Sequence, residues 1–396
     1  MSGLVVVGSG PAALAAAQAY RESDGDGPVT MITEDVHPPY ARPPLTKDYL
    51  RGADELDDLW LRDDGWFEDN LVTLTTGTRV TGIDPEARRV STGGAQEVGY
   101  ADLVLATGSS PQPLPVPGGD HPDLVYVRDL ASGRRLRQIA EQPSGRVVVI
   151  GSGFIGCEAA ASFATQGVET VLVTDEDIPH TRRLGAEAGK RIADWLRTDG
   201  VDLHTGSALA MIERTGHRWA LRLDDDTMID AAHVVCAGGA RPRLELAETA
   251  GLALANGGVV ADSLLRTSVA HIRVAGDIAY ARNVAAGRPL RVEHWGDAET
   301  QGEIAGAGVA GRQLQWASAP GFWSTIGDRT LKYSSWGDGF DDYEVRGDDR
   351  SWTVWYRQGT QLAGVLSYRD DDAYELGQGL LAERAPYAQA IDEVDR

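Results

Sequence analysis

Leu4-Val5-Val6-Val7-Gly8-Ser9-Gly10-Pro11-Ala12-Ala13 decides the fold. The run from Leu4 to Val7 has the composition of a buried strand, and the Ala-rich segment 12–19 reads as a helix. Between them Gly8 permits a tight turn and Gly10 lets the backbone come close to an anion, while Ala13 keeps the helix near its strand. Together with Pro11 and Ala12 they turn the free N–H groups of a helix terminus toward a dinucleotide diphosphate. The next strand, expected over 29–33, is followed by Glu34, placed to accept from the ribose hydroxyls of an adenosine.

One glycine turn fits many nucleotides or none. Val147-Val148-Val149-Ile150-Gly151-Ser152-Gly153-Phe154-Ile155-Gly156-Cys157-Glu158 repeats strand, turn and helix, now with all three glycines. One chain is therefore built to hold two dinucleotides. Its second strand, expected over 170–174, runs into Asp175-Glu176-Asp177, acids that accept ribose hydroxyls and repel the 2′-phosphate of NADP. NADH is the expected donor, with NADPH kept open by Arg182 and Arg183 just downstream.

At 396 residues two or three domains are expected. A net charge of −22 speaks against a nucleic-acid partner. No apolar run is long enough for a bilayer and the N-terminus leads straight into a strand, so no membrane and no signal peptide are expected, and the chain reads as cytoplasmic. The two cysteines, Cys157 and Cys236, lack CxxC spacing and lie in apolar surroundings, where packing is their ordinary role. Disulfide reduction has no candidate thiol pair.

Between and beyond the turns lie further segments. In His37-Pro38-Pro39-Tyr40-Ala41-Arg42-Pro43-Pro44-Leu45-Thr46-Lys47 the prolines are expected to hold an extended backbone and so to aim Arg42 at a diphosphate and Lys47 at a flavin. The alternative is a stiff surface loop. Leu103-Val104-Leu105-Ala106-Thr107-Gly108 is a strand ending in small residues, as needed where chain passes against a cofactor. Gly239 lies in Gly238-Gly239-Ala240-Arg241-Pro242, and Gly276-Asp277 closes a later strand. Val292-Glu293-His294-Trp295-Gly296-Asp297 leads into an Ala/Gly-rich helix for which Asp297 is the expected N-cap. The acid-rich stretches 338–349 and 370–375 read as solvated loops.

These segments, in this order, resemble the NAD(P)H-dependent ferredoxin and rubredoxin reductases that serve Rieske oxygenases and cytochromes P450, with a further likeness to apoptosis-inducing factors. Segment 42–47 resembles their RPPLSK motif, Ala106-Thr107-Gly108 their ATG motif, residues 293–302 their EHWxxAxxQG motif, and Phe322-Trp323-Ser324 their FWSD motif, with Thr325 in place of the Asp. The resemblance implies an α/β fold: two Rossmann-like units, an FAD domain over 1–112 and 241–318 and an NAD(P)H domain over 113–240, followed by an α+β domain over 319–396. It places Val80 and Arg128 against the flavin nucleotide, Asp277 on its ribityl chain, Glu158 near the nicotinamide, and Trp295 and Trp323 beside the flavin ring. No side chain need act as acid or base.

The implied partner is an iron–sulfur ferredoxin or rubredoxin, reached by a monomer or homodimer. Ferredoxins are themselves acidic, so docking needs a local basic patch, for which Arg282, Arg288 and Arg291 are candidates. The rival readings are a flavin reductase or oxidase acting on a small molecule or oxygen, and an NADH-sensing flavoprotein like the apoptosis-inducing factors.

Overall fold

The computed structural model describes residues 3–94 and 96–394. Its first sheet has five parallel strands in the order Ile272–Val274, Asp102–Leu105, Leu4–Val7, Val29–Ile32, Val72–Thr75. A second parallel sheet, ordered Val201–His204, Thr170–Val173, Val147–Ile150, His233–Cys236, Val125–Tyr126, repeats the plan. In each, the strand before the glycine turn lies in the middle and is buried along its length. That burial on both faces is why these strands read as unbroken apolar runs. The chain leaves the first sheet through Ser109–Pro111 and returns through Ala240–Pro242, and the two crossings pair antiparallel.

A third, antiparallel sheet follows, ordered Gly321–Ile326, Arg329–Ser335, Gln361–Tyr368, Trp352–Gln358, Asp342–Gly347. Trp352 and Tyr356 are buried on one face of it, in a cluster with Phe163 and Leu184 of the second unit, and Trp355 is buried on the other face with Leu380 and Leu381. No helix among the described residues is long and apolar enough to cross a membrane.

The small residues of two helices set the site. A Cβ at Gly302 would lie 2.2 Å from Ala12 O, and one at Gly306 would lie 2.0 Å from Ala16 O. The helix Trp295–Val309 thus packs backbone-to-backbone against Pro11–Glu22, which brings its N-terminus beside the first glycine turn.

Several local expectations are corrected. The strands after the two turns end at Ile32 and Val173, one residue early, because each following threonine serves the turn: Thr33 Oγ1 lies 2.9 Å from Ser9 Oγ and Thr174 Oγ1 2.7 Å from Ser152 Oγ. Segment 37–47 is not extended throughout. Pro43–Thr46 forms a 3-10 turn, Arg42 is helical at φ −86°, and Leu45 N and Lys47 N donate back to Arg42 O and Pro44 O. Asp297 sits inside the helix, whose N-cap is His294, and it is buried, accepting from Gly321 N at 3.2 Å.

Neither acid-rich stretch is simply loop. Asp342–Gly347 is an edge strand, where charge protects unpaired backbone. Asp370 accepts from Ala373 N and caps the helix Asp371–Ala382, whose first turn suits acids.

Candidate active site

Both glycine turns are shaped by contacts that a side chain would destroy. Gly8 has φ +132° and a Cβ there would sit 2.3 Å from Ala106 O; at Gly156 a Cβ would sit 1.9 Å from Gly151 O. The helices that follow have Gly10 and Gly153 as N-caps, with no side-chain cap hydrogen bond. Their first N–H groups are left to an outside acceptor, which an anion supplies best. Pro11, Ala12 and Ala13 open the first of these helices, Phe154 and Ile155 the second, with Ile155 exposed.

Around the first turn the structure gathers the expected residues. Arg42 lies over the Tyr40 ring at 5.7 Å, its Nη1 3.7 Å from where a Gly10 Cβ would be. Asp277 Oδ2 accepts from Ser109 Oγ at 2.5 Å and Arg128 Nη2 at 2.9 Å. Burial lowers the Arg128 pKa. Val80 is buried at the start of the strand Val80–Asp84, just beyond Thr78, whose N donates to Thr33 O.

Glu34 is bonded by Arg243 and lies 3.9 Å from Arg79 Nε. Arg243 also donates from Nε to Ser110 Oγ at 2.6 Å, and its carbonyl accepts from Thr107 Oγ1 at 2.9 Å. Ser109, Ser110 and Arg243 are not signalled by any motif; they matter because the two crossings pair here. Gly239 lies just before the returning crossing, as its segment leads one to expect, its O accepting from Gln112 N.

Lys47 and Glu158 meet. Glu158, 5% exposed, accepts from Lys47 Nζ at 3.1 Å, Thr46 Oγ1 at 2.7 Å, Ser324 Oγ at 2.7 Å and Thr325 N at 3.2 Å. Three remote segments converge on one carboxylate. Lys47 was expected at a flavin and Glu158 at a nicotinamide, and their pairing satisfies both charges in a buried place. Thr46, Ser324 and Thr325 lie in motif segments, but their meeting with Glu158 escapes the sequence because spacing between remote segments carries no signal.

The nearby helix begins at Trp295, whose Nε1 donates to Glu299 Oε1 at 2.8 Å. His294 Nδ1 lies 3.3 Å from Asp297 Oδ2 but off the hydrogen-bonding line, so this buried nitrogen has no hydrogen-bond partner. The His294 ring lies 4.8 Å from Phe322, and Phe322 lies 4.5 Å from Phe154. Trp323, next on the strand, is 45% exposed. Past the second turn, Arg182 bonds Asp175 Oδ2 at 2.7 Å and Glu176 Oε1 at 3.1 Å. Cys157 and Cys236 are both free and buried, and burial pushes the Cys236 thiol up to about 12.

These residues fit two dinucleotides. Gly8 and Gly156 hold turn geometries that no Cβ would allow while Gly10 and Gly153 leave their outer sides open, helix N–H groups are free, and two buried donors beside the first turn lack partners: Arg128 Nε, and Gln301 Nε2, whose own Oε1 accepts from Gly276 N at 2.9 Å.

Comparison with known proteins agrees. The family "Pyridine nucleotide-disulphide oxidoreductase" matches residues 2–302. Rhodocoxin reductase of Rhodococcus erythropolis is 32% identical over 98% of this chain and 92% of its own. Putidaredoxin reductase of Pseudomonas putida is 30% identical over 97% and 92%. Among solved structures, the ferredoxin reductase for the CYP199A2 system from Rhodopseudomonas palustris superposes with a TM-score of 0.92 at 31% identity, covering 98% of this chain and 97% of that one. The reductase in a covalent putidaredoxin reductase–putidaredoxin complex gives 0.91 at 28%, covering 97% and 94%. With two buried, unpaired cysteines but both nucleotide turns intact, the chain belongs to the pyridine nucleotide-disulphide oxidoreductase family, and within it to the ferredoxin and rubredoxin reductases.

Proposed function

We propose that this protein is an FAD-dependent reductase that takes hydride from NADH and passes electrons singly to a ferredoxin or rubredoxin feeding an oxygenase or a cytochrome P450. The segments 1–112 and 241–318 hold FAD, 113–240 hold the nicotinamide nucleotide, and 319–396 close over the junction. The observation that carries this reading is the pair of open glycine turns on one chain, with Lys47 and Glu158 bonded at the junction between them. A flavin bound at the first turn supplies acceptance of a hydride and release of electrons one at a time.

The chain's residues do the rest. Gly8, Gly10 and the helix terminus bind the flavin diphosphate, aided by Arg42, and Glu34 and Asp277 hold hydroxyls. The N-terminus at Trp295 offers positive dipole to charge that builds on reduction. Lys47 keeps a cation at the junction, oriented by Glu158. NADH is favoured over NADPH because Arg182 is occupied by Asp175 and Glu176.

The docking patch needs revision. Arg288 is bonded to Asp338 and Arg291 to Glu293, so two of the three candidate cations are neutralised within the chain. The acceptor is settled by assay: NADH-driven reduction of a ferredoxin or rubredoxin much faster than NADH oxidation in air supports the proposal. Rapid oxidation in air without any iron–sulfur protein would favour the oxidase reading, and slow turnover with every acceptor the sensing one.

A further inference from the structure

Arg183 is a cation at the nucleotide cleft that no carboxylate among the described residues salt-bridges, Glu293 and Tyr333 acting on it only at longer range. It lies in the short turn that opens the helix Thr181–Thr198, before the break at Gly185, where φ is 82°. Its guanidinium carbon is 5.6 Å from the Phe154 ring centre and 5.2 Å from that of Phe322, and Nη2 is 3.4 Å from His294 Nε2. Phe154 is the first residue of the helix after the second glycine turn, so the ring that the guanidinium covers belongs to the helix terminus whose N–H groups are left for a diphosphate.

The lack of a partner is selective. The chain has 59 acids for 37 bases, and the adjacent Arg182 holds two carboxylates. Glu293, beside His294 in sequence, is taken by Arg291. No carboxylate among the described residues pairs with Arg183, and an imidazole nitrogen adds no negative charge. The side chain opens to water at the cleft rim, yet the protein around it desolvates the charge and lowers its pKa. A cation seated on two aromatic rings, open to water on its other side and without a salt bridge, is placed to receive an anionic ligand.

We propose that Arg183 binds the diphosphate of the pyridine dinucleotide, clamping it against the turn Gly151–Gly156 while the Phe154 and Phe322 rings hold the guanidinium in place. The proposal rests on the second turn being the nicotinamide-nucleotide turn. Because Arg183 packs against Phe154 and Phe322, while it is the neighbouring Arg182 that holds Asp175 and Glu176, it serves NADH and NADPH alike and takes no part in choosing between them.

The test uses the yellow holoprotein and two hydride donors: NADH, and 1-benzyl-1,4-dihydronicotinamide, which has the reactive ring but no phosphate. Anaerobic rapid mixing gives the second-order constant of flavin bleaching for each. In Arg183→Ala the NADH constant falls roughly tenfold or more relative to that for the phosphate-free donor, as loss of a charge-assisted bond to phosphate requires. The loss appears in the NADH concentration that half-saturates the bleaching rate, and Arg183→Lys recovers part of it. Equal slowing of both donors, or of neither, overturns the proposal, and Arg183→Gln repeats the comparison should the alanine protein lose flavin. A wild-type protein bleached by neither donor would instead fail the reading of the turn itself.

Discussion

Lys47 Nζ stands 3.1 Å from Glu158 Oε1, two buried charges from the first and second dinucleotide units, with Ser324 of the third sheet donating to the same oxygen. The pair fixes how the three parts meet. Glu158→Gln leaves Lys47 buried with no counter-charge, a change that costs about 3–5 kcal/mol. The expected outcome is a clear drop in melting temperature, partly recovered in Lys47→Met/Glu158→Gln, where no charge is stranded. A double mutant as unstable as the single one would contradict this.

Gly156 is a backbone contact, whereas Gly10 faces only the far end of Arg42. Gly156→Ala should therefore abolish bleaching by NADH while the protein keeps its flavin, since a methyl group 1.9 Å from Gly151 O forces the second turn open. Absorbance of the purified variant, followed by addition of NADH, checks both halves.

Arg182 is held by Asp175 and Glu176. Asp175→Ser combined with Glu176→Ser frees that guanidinium for a 2′-phosphate, and the preference for NADH over NADPH, read as a ratio of kcat/KM, should fall about tenfold or more. An unchanged ratio places the selectivity elsewhere.

Burial lowers the pKa of His180 from 6.5 to about 3, with its ring 4.2 Å from that of Phe154 and tilted by 34°. Between these values the unfolded chain binds a proton that the folded chain refuses, so stability is full above pH 6.5 and declines as pH falls toward 3. At pH 5 the cost is about 2 kcal/mol. His180→Asn, which tolerates the left-handed backbone at φ 62°, should lessen the loss of urea midpoint between pH 7 and pH 5.

Much of the fold is legible in the sequence because its signals are local. Val5-Val6-Val7-Gly8 and Val148-Val149-Ile150-Gly151 encode strand and turn within a few residues, and the structure repeats the plan in both sheets. What escapes is contact between remote segments. Ser324, Thr325 and Arg243 acquire roles only when crossings pair and the third sheet docks. The prolines around Arg42 mislead because the inward demand of Leu45 and Lys47, both buried, overrides the extended preference before proline. The acids of 342–347 mislead because an edge strand wants charge as much as a loop does.

The most direct test is an anaerobic titration of the purified protein with NADH, followed by an oxidised ferredoxin or rubredoxin. The expected result is a yellow protein carrying FAD, bleached by one equivalent of NADH and recoloured as two equivalents of the one-electron acceptor are reduced. A colourless chain that takes up no FAD, or a flavin that NADH leaves oxidised, would contradict it.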